Sequence, residues 1–237
     1  MGLGLTDAEC RFPRPVQFRL RLSSIHAVAE PLDRMYPWVF QATLVENSWH
    51  RYVRAWLPSF PSLIQRFIRK FWPRYALPPT VVIKKLRGLF ADDDEIVDKT
   101  EDFEKEKAIY QRLKPAQGRL VPEFFGEARC DGRRALVISL LPGATPRRQS
   151  KPRLTVEEFA DRIAISVREL QKLGLIHADG RLSNIILVDD RIMFIDLEWV
   201  QEVEPEWLDH YCTAVSIPRF VDEYKKFLPK ADREWEY

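Results

Sequence analysis

Three side chains in the last third of the chain have the types and spacing to do chemistry together. His177-Ala178-Asp179 is followed five residues after the aspartate by Asn184. Twelve residues further on, Asp196 closes the apolar run Phe194-Ile195. Asn184 and Asp196 offer hard oxygen atoms from two adjacent segments, and magnesium takes a few such ligands and keeps water for the rest. Asp179 is a carboxylate that could accept or orient the proton of an attacking hydroxyl. His177 fits a brace for the loop better than a titrating group. Taken singly, Asp179 and Asn184 read more simply as turn residues, since Asp, Asn and Gly commonly occupy turns. Their ordered combination with Asp196 is what points to a site. The short apolar runs 185–188 and 192–195, with a turn at Asp189-Asp190, predict a hairpin that folds Asp196 back beside Asn184.

The pattern H-x-D-x-x-x-x-N, then a hairpin, then an apolar strand ending in Asp, resembles the catalytic loop and metal-binding aspartate of the protein-kinase-like superfamily. Upstream, Val81-Val82-Ile83-Lys84 resembles the V-A-I-K strand of the same superfamily. Asp196-Leu197-Glu198 stands where conventional protein kinases have Asp-Phe-Gly. That is similar to the atypical and small-molecule branch, near the aminoglycoside phosphotransferases, choline kinases and fungal kinase-like proteins. The resemblance covers residues 80–200 well and residues 14–79 by position only.

This resemblance implies ATP and Mg2+ as cofactors and transfer of the γ-phosphate to a protein or small-molecule hydroxyl. It implies that Asp179 and His177 form the catalytic loop and that Asn184 and Asp196 hold the metal. Lys84 would contact the α- and β-phosphates, and Glu106 would pair with that lysine. Ser139, Leu140 and Leu141 would form the hinge against which adenine packs. Val82 and Lys84 share one face of a strand, and the rival Lys85 points the other way. Glu101 and Glu104 are rivals of Glu106. A solvated surface lysine and a helix-surface glutamate are the plain alternatives for Lys84 and Glu106.

The elements that must position these residues can be read from periodicity. Val16, Phe18, Leu20 and Leu22 alternate with polar residues, which predicts a strand over 16–22. Residues 38–46, 80–86 and 135–141 are expected to join it in one antiparallel sheet. Residues 23–37 read as a long connection and the acidic residues 91–100 as a loop. The helix around Glu106 has Phe103, Ile109, Tyr110 and Leu113 on its apolar side and should pack on that sheet. Thr155 and Glu158 match a capping box that opens a helix over 155–173, and Gly174 ends it. The switch from period two to period 3.6 near residue 150 marks a second, mostly helical region. The expected class is α+β, a two-lobed protein-kinase-like fold. Residues 1–13 are a tail, 14–145 an N-lobe with an insertion at 47–79, and 146–237 a reduced C-lobe.

Two features depart from the family pattern. The only glycines before Lys84 are Gly2 and Gly4, so the glycine-rich loop that lets backbone amides approach phosphate is missing. Ser23 and Ser24 are candidates to replace it. Only 41 residues follow Asp196, and no A-P-E motif is among them. These departures support an alternative function, a pseudokinase that binds nucleotide or a protein partner without transfer.

Composition bounds the remaining classes. A net charge of +2 over 237 residues leaves no nucleic-acid footprint. Cys10, Cys130 and Cys212 are far apart, with no C-x-x-C pair, which argues against a disulfide framework or a zinc site. No apolar run reaches the roughly 18 residues needed to span a bilayer, and an intracellular, cytoplasmic protein is expected. The basic clusters at 66–70 and 147–153 read as solvated faces. Residues 62–72 form an amphipathic helix, with Leu63, Ile64, Phe67, Ile68, Phe71 and Trp72 on one face. That helix is read as a cap on the sheet, the alternative being peripheral contact with an anionic membrane.

Overall fold

The computed structural model of the chain describes residues 13–33, 36–87, 90–92, 95–97 and 99–231. The expected N-terminal tail therefore lies almost wholly outside the described residues, as does Cys10. The protein combines an antiparallel β-structure with helices. It divides into two compact units, residues up to Lys107 with Glu123–Leu140, and Ala108–Pro122 with Leu141 onward.

In the first unit the chain lays down β1 (Arg14–Leu20), β2 (Ser23–Pro31) and β3 (Val39–Leu44), then α1 (Ser48–Trp56) and α2 (Ser62–Phe71). It continues through β4 (Thr80–Lys85), β5 (Phe90–Asp92), β6 (Glu95–Val97) and the part of α3 (Thr100–Arg112) up to Lys107, and resumes with β7 (Phe124–Cys130) and β8 (Arg133–Ser139). Six of the strands close into an antiparallel barrel in the order β1-β2-β3-β4-β8-β7. Closure is made by β1 against β7, with Phe18 opposite Cys130 and Leu20 opposite Ala128. Closure leaves the barrel no free edge. Its interior holds Phe18, Leu20, Phe40, Val81, Ile83 and Val137, all fully buried.

This differs from the expected four-stranded sheet. The stretch read as a connection contains β2, whose inward side chains are Ser23, Ile25, Ala27 and Ala29. Small residues give a weak hydrophobic alternation, yet they suit a narrow barrel interior. β7 carries an equally weak alternation, since its inward residues are Ala128 and Cys130. Within the acidic stretch, β5 and β6 pair as a separate two-stranded ribbon. The strand expected over 135–141 stops at Ser139. β7 and β8 turn through Asp131-Gly132, both at positive φ, the Asp-Gly hairpin chemistry that matches strand twist.

The second unit is helical around two short ribbons. α4 (Val156–Gln171) opens with the expected capping box. The Glu158 amide donates to Thr155 Oγ1 (3.1 Å) and the Thr155 amide to Glu158 Oε2 (2.8 Å). Gly174 follows the helix at φ 73°. Next come β9 (Leu175–His177), β10 (Ile185–Val188), β11 (Arg191–Phe194), β12 (Val200–Glu202), α5 (Pro205–His210) and α6 (Ile217–Ala231). β9 pairs with β12 and β10 with β11, both antiparallel. α4 buries Phe159, Ile163, Val167 and Leu170, and Phe159 stacks on Tyr224 of α6 with ring centres 4.1 Å apart. Among the described residues, no helix is long and apolar enough to cross a membrane.

Candidate functional site

β4 runs between β3 and β8, and Lys84 lies opposite Val39 on one side and Leu136 on the other. Side chains alternate across a strand. Val81, Ile83 and Lys85 form one set and Val82 and Lys84 the other. Val81 and Ile83 belong to the barrel core, so Lys85 is the inward lysine, and it is buried. Its Nζ lies 3.1 Å from Asp131 Oδ2, which also binds Arg14 at 2.7 Å. Burial opposes ionisation of Asp131, but the two cations outweigh it and hold the carboxyl below its ordinary value. Lys84 faces the other way, and its Nζ is 2.7 Å from Glu106 Oε2.

Glu106 is only 2% exposed because it shares a helix face with buried Phe103 and Tyr110, three residues before it and four after. The rival acids go elsewhere. Glu104 pairs with Lys107 (2.6 Å) and with Arg134, and Glu101 is exposed. An ion pair this buried gains little net stability, because desolvation offsets the attraction, but it fixes the position of the lysine.

In the second unit the loop after β9 gathers the other predicted residues. Asn184 Nδ2 donates to Asp179 Oδ2 at 2.9 Å. That bond spends the amide nitrogen on the carboxylate and leaves Oδ1, which also accepts from Ser183 Oγ at 3.2 Å, as the oxygen available to a cation. The β10–β11 hairpin returns the chain as expected, with Ile185 opposite Phe194. The Ile195 amide then donates to the Asn184 carbonyl at 2.8 Å, which sets Asp196 next to that loop. Asp196 itself is left-handed, φ 60° and ψ 58°. Asp tolerates this conformation better than most residues, and the sharp change of direction ends the strand where the carboxylate is presented. A carboxylate and an amide oxygen are the donor set that magnesium accepts while keeping several waters.

His177 is buried, stacked on Phe194 with ring centres 5.4 Å apart. Its Nε2 donates to the Ile195 carbonyl at 3.3 Å. Burial pushes its pKa below the ordinary value, so the ring is neutral at neutral pH. It ties β9 to the segment carrying Asp196, which is a structural role.

Several supporting residues were not read from the sequence. Arg219 of α6 donates to the Ala178 carbonyl at 2.6 Å, and Arg181 Nε lies 3.5 Å from Asp179 Oδ1. Gly180 packs so closely on Arg219 that a Cβ there would sit 2.4 Å from its Cγ. The Arg219 contact joins residues far apart in the chain, which periodicity cannot reveal. Arg181 lies inside the loop, and its charge beside Asp179 was the available signal.

The remaining expectations fall as follows. Ser139 ends β8, its amide donates to the Glu123 carbonyl, and its Oγ accepts from the Glu123 amide, both at 2.9 Å. The first unit ends at Leu140, which is exposed, and the second resumes at Leu141. Ser23 and Ser24 do not form a loop. They pair in the β2 ladder with Leu20 and Arg19, and only Arg21-Leu22 connect β1 to β2. α2 does not cap the sheet, because none of its residues is buried.

No family model and no curated protein matches the chain. Among solved structures it is similar to a divergent Toxoplasma kinase that lacks the glycine-rich loop and is described as regulating membrane ultrastructure of the parasitophorous vacuole. The two are 17% identical with a TM-score of 0.47, over 82% of this chain and 66% of that one. The chain therefore spans slightly under two thirds of that neighbour's length.

Proposed function

We propose that the chain is an ATP-dependent phosphotransferase of the two-lobed, kinase-like kind, acting on a protein or small-molecule hydroxyl. The observation that carries this reading is the loop in which Asn184 holds Asp179 at 2.9 Å while Ile195 ties Asp196 to Asn184. One short segment thereby presents a proton acceptor, an amide oxygen and a carboxylate. The buried Lys84–Glu106 pair supports it, since a lysine held 2.7 Å from a buried carboxylate has a fixed position, as a phosphate-binding lysine needs.

In this reading Asn184 and Asp196 would hold magnesium, which would supply charge neutralisation for the phosphate oxygens. Lys84 binds the phosphates of ATP, and Ser139, Leu140 and Leu141 border adenine. Asp179 takes the proton of the acceptor hydroxyl as its oxygen bonds to the γ-phosphorus and the bond to ADP breaks. Asn184 aims the Asp179 carboxylate, and His177 braces the loop. Most of the rate enhancement in such a reaction is positioning and charge compensation.

A second reading, a binding module without transfer, is favoured by one feature. The β1–β2 connection is two residues long and contains no glycine, so it offers no cradle of amides for phosphate. Thermal melting with Mg-ATP, read together with transfer of labelled phosphate, separates the two. A ligand that binds only the folded state at a hundred times its Kd adds about 2.7 kcal/mol, and the melting temperature should rise. Asp196→Asn should remove the rise. Asp179→Asn should keep it and lose transfer of labelled phosphate, because binding and proton acceptance are separate roles. A melting curve unmoved by Mg-ATP would replace the phosphotransferase reading with the binding module.

A further inference from the structure

The excursion between β3 and β4 joins an acid-free, basic composition to two helices that bury none of their residues. From Asn47 to Pro79 there is no aspartate or glutamate, while Arg51, Arg54, Arg66, Arg69, Lys70 and Arg74 all fall within it. The segment thus carries a formal +6 in a chain that nets +2, and residues 132–156 are a second acid-free stretch with six basic side chains. Arg54 is engaged by Glu46, whereas Arg66, Arg69 and Lys70 stand exposed on α2.

The same segment carries the largest exposed apolar side chains of the first unit. Neither α1 nor α2 buries a single residue. On α2, Leu63 is 74% and Phe67 50% exposed. On α1, Trp49 and Trp56 are 61% and 52% exposed, one face seven residues apart. At 100° per residue, Leu63, Ile64, Phe67, Ile68 and Phe71 cover one arc of α2, and Arg66, Arg69 and Lys70 lie on the opposite arc and its border. The excursion is nevertheless anchored. Leu57, Pro73 and Leu77 are buried, and Gln65 Nε2 donates to the Phe60 carbonyl at 2.8 Å. The helices are fixed in place with their apolar faces outward.

A ten-residue helix with Phe and Leu on one face and Arg and Lys on the other is too short to span a bilayer but suited to lie in its interface. The charge selects among occupants. A second copy would bring two cationic excursions together, which like-charge repulsion opposes. An anionic leaflet supplies both an apolar layer for the exposed face and a negative surface potential for the arginines and lysine. We propose that α2, with α1 preceding it, docks this protein on an anionic phospholipid surface, Leu63, Ile64 and Phe67 entering the acyl boundary and Arg66, Arg69 and Lys70 meeting the headgroups. This docking is independent of the phosphotransferase reading.

Sedimentation of the full chain with vesicles tests it. The chain should pellet with phosphatidylcholine–phosphatidylserine vesicles and stay in the supernatant with phosphatidylcholine alone, and added salt should release it. Each basic side chain near an anionic surface is worth about fivefold in partitioning, so Arg66→Gln, Arg69→Gln and Lys70→Gln together should weaken binding about a hundredfold. Leu63→Gln with Phe67→Gln should also abolish pelleting, and the melting curve should be unchanged because both side chains are exposed. If a variant fails to fold, salt release of the unaltered chain reads the same point. Equal pelleting with both vesicle types, none with either, or a salt-insensitive pellet would overturn the proposal. So would a dimer in vesicle-free solution that Leu63→Gln with Phe67→Gln converts to monomer, since a second copy would then cover the face.

Discussion

Single residues decide what the candidate site can be asked to do. Removing Glu106 takes away the buried carboxylate that fixes Lys84, and breaking such a pair from one side costs about 3–5 kcal/mol. Glu106→Ala should therefore lower the urea midpoint sharply. Lys84→Met combined with Glu106→Leu should recover most of that loss while leaving nucleotide binding absent. A double variant as unstable as Glu106→Ala would show that the pair stabilises the fold rather than positioning the lysine. Asp196 carries a backbone requirement besides its carboxylate, because its left-handed conformation costs most other L-residues about 1–2 kcal/mol. Asp196→Ala should melt below Asp196→Asn, though neither should respond to Mg-ATP. Gly143 is constrained by packing: a Cβ there would lie 2.0 Å from the Leu187 carbonyl oxygen. Gly143→Ala must open the bridge between Ala144 and Leu187, and about 1–3 kcal/mol of destabilisation is expected by urea titration.

At the scale of elements, α3, β7 and β8 are joined by a charged network. Glu127 receives Arg134 (2.5 Å) and Lys107 (3.0 Å), and Arg134 also reaches Glu104. The Arg134 guanidinium foremost, with Lys107, holds the Glu127 carboxyl down to about 2 against an ordinary 4.5. A carboxylate depressed in the folded state stabilises above its unfolded pKa, and that contribution is lost as pH falls from about 4.5 toward about 2. Glu127→Gln should flatten the fall of the urea midpoint across that window while leaving the region above it with the same slope. An unaltered acid profile would mean the network is formed equally in the unfolded chain. α4 depends on its capping box, and Thr155→Ala should cost about 1 kcal/mol, read as a shift of the thermal midpoint.

For the whole molecule, the excursion between β3 and β4 is separable from the barrel. Thr43 lies opposite Thr80, so the excursion leaves and returns between paired strands. Replacing residues 47–72 with a Gly-Ser linker, and keeping Pro73 and Leu77, should preserve the barrel's far-UV spectrum. The stability lost should be no more than that of deleting one buried leucine, about 2–5 kcal/mol, because Leu57 is the only buried side chain removed. Mg-ATP stabilisation should survive and vesicle binding should vanish. Loss of the barrel spectrum would show that the helices are part of the fold.

Local chemistry wrote much of this into the sequence. The order of His177, Asp179, Asn184 and Asp196 was legible because a loop, a tight hairpin and a strand end act over a few residues. The capping box at Thr155 and the alternation of Lys84 and Lys85 across β4 were legible for the same reason. Lys84 pairs with Glu106 and Lys85 turns the other way, as the alternation implies; that the Lys85 side of β4 forms the barrel interior was not legible, because only the closed sheet decides it. β2 and β7 were missed because Ala27, Ala29, Ala128 and Cys130 fill the interior without a strong hydrophobic signal. The pairing of Phe18 with Cys130 joins segments more than a hundred residues apart, and no periodicity in either segment encodes the other. The outward faces of α1 and α2 show the same limit. An amphipathic pattern fixes which side of a helix is apolar, but only tertiary packing decides whether that side finds a core or remains at the surface.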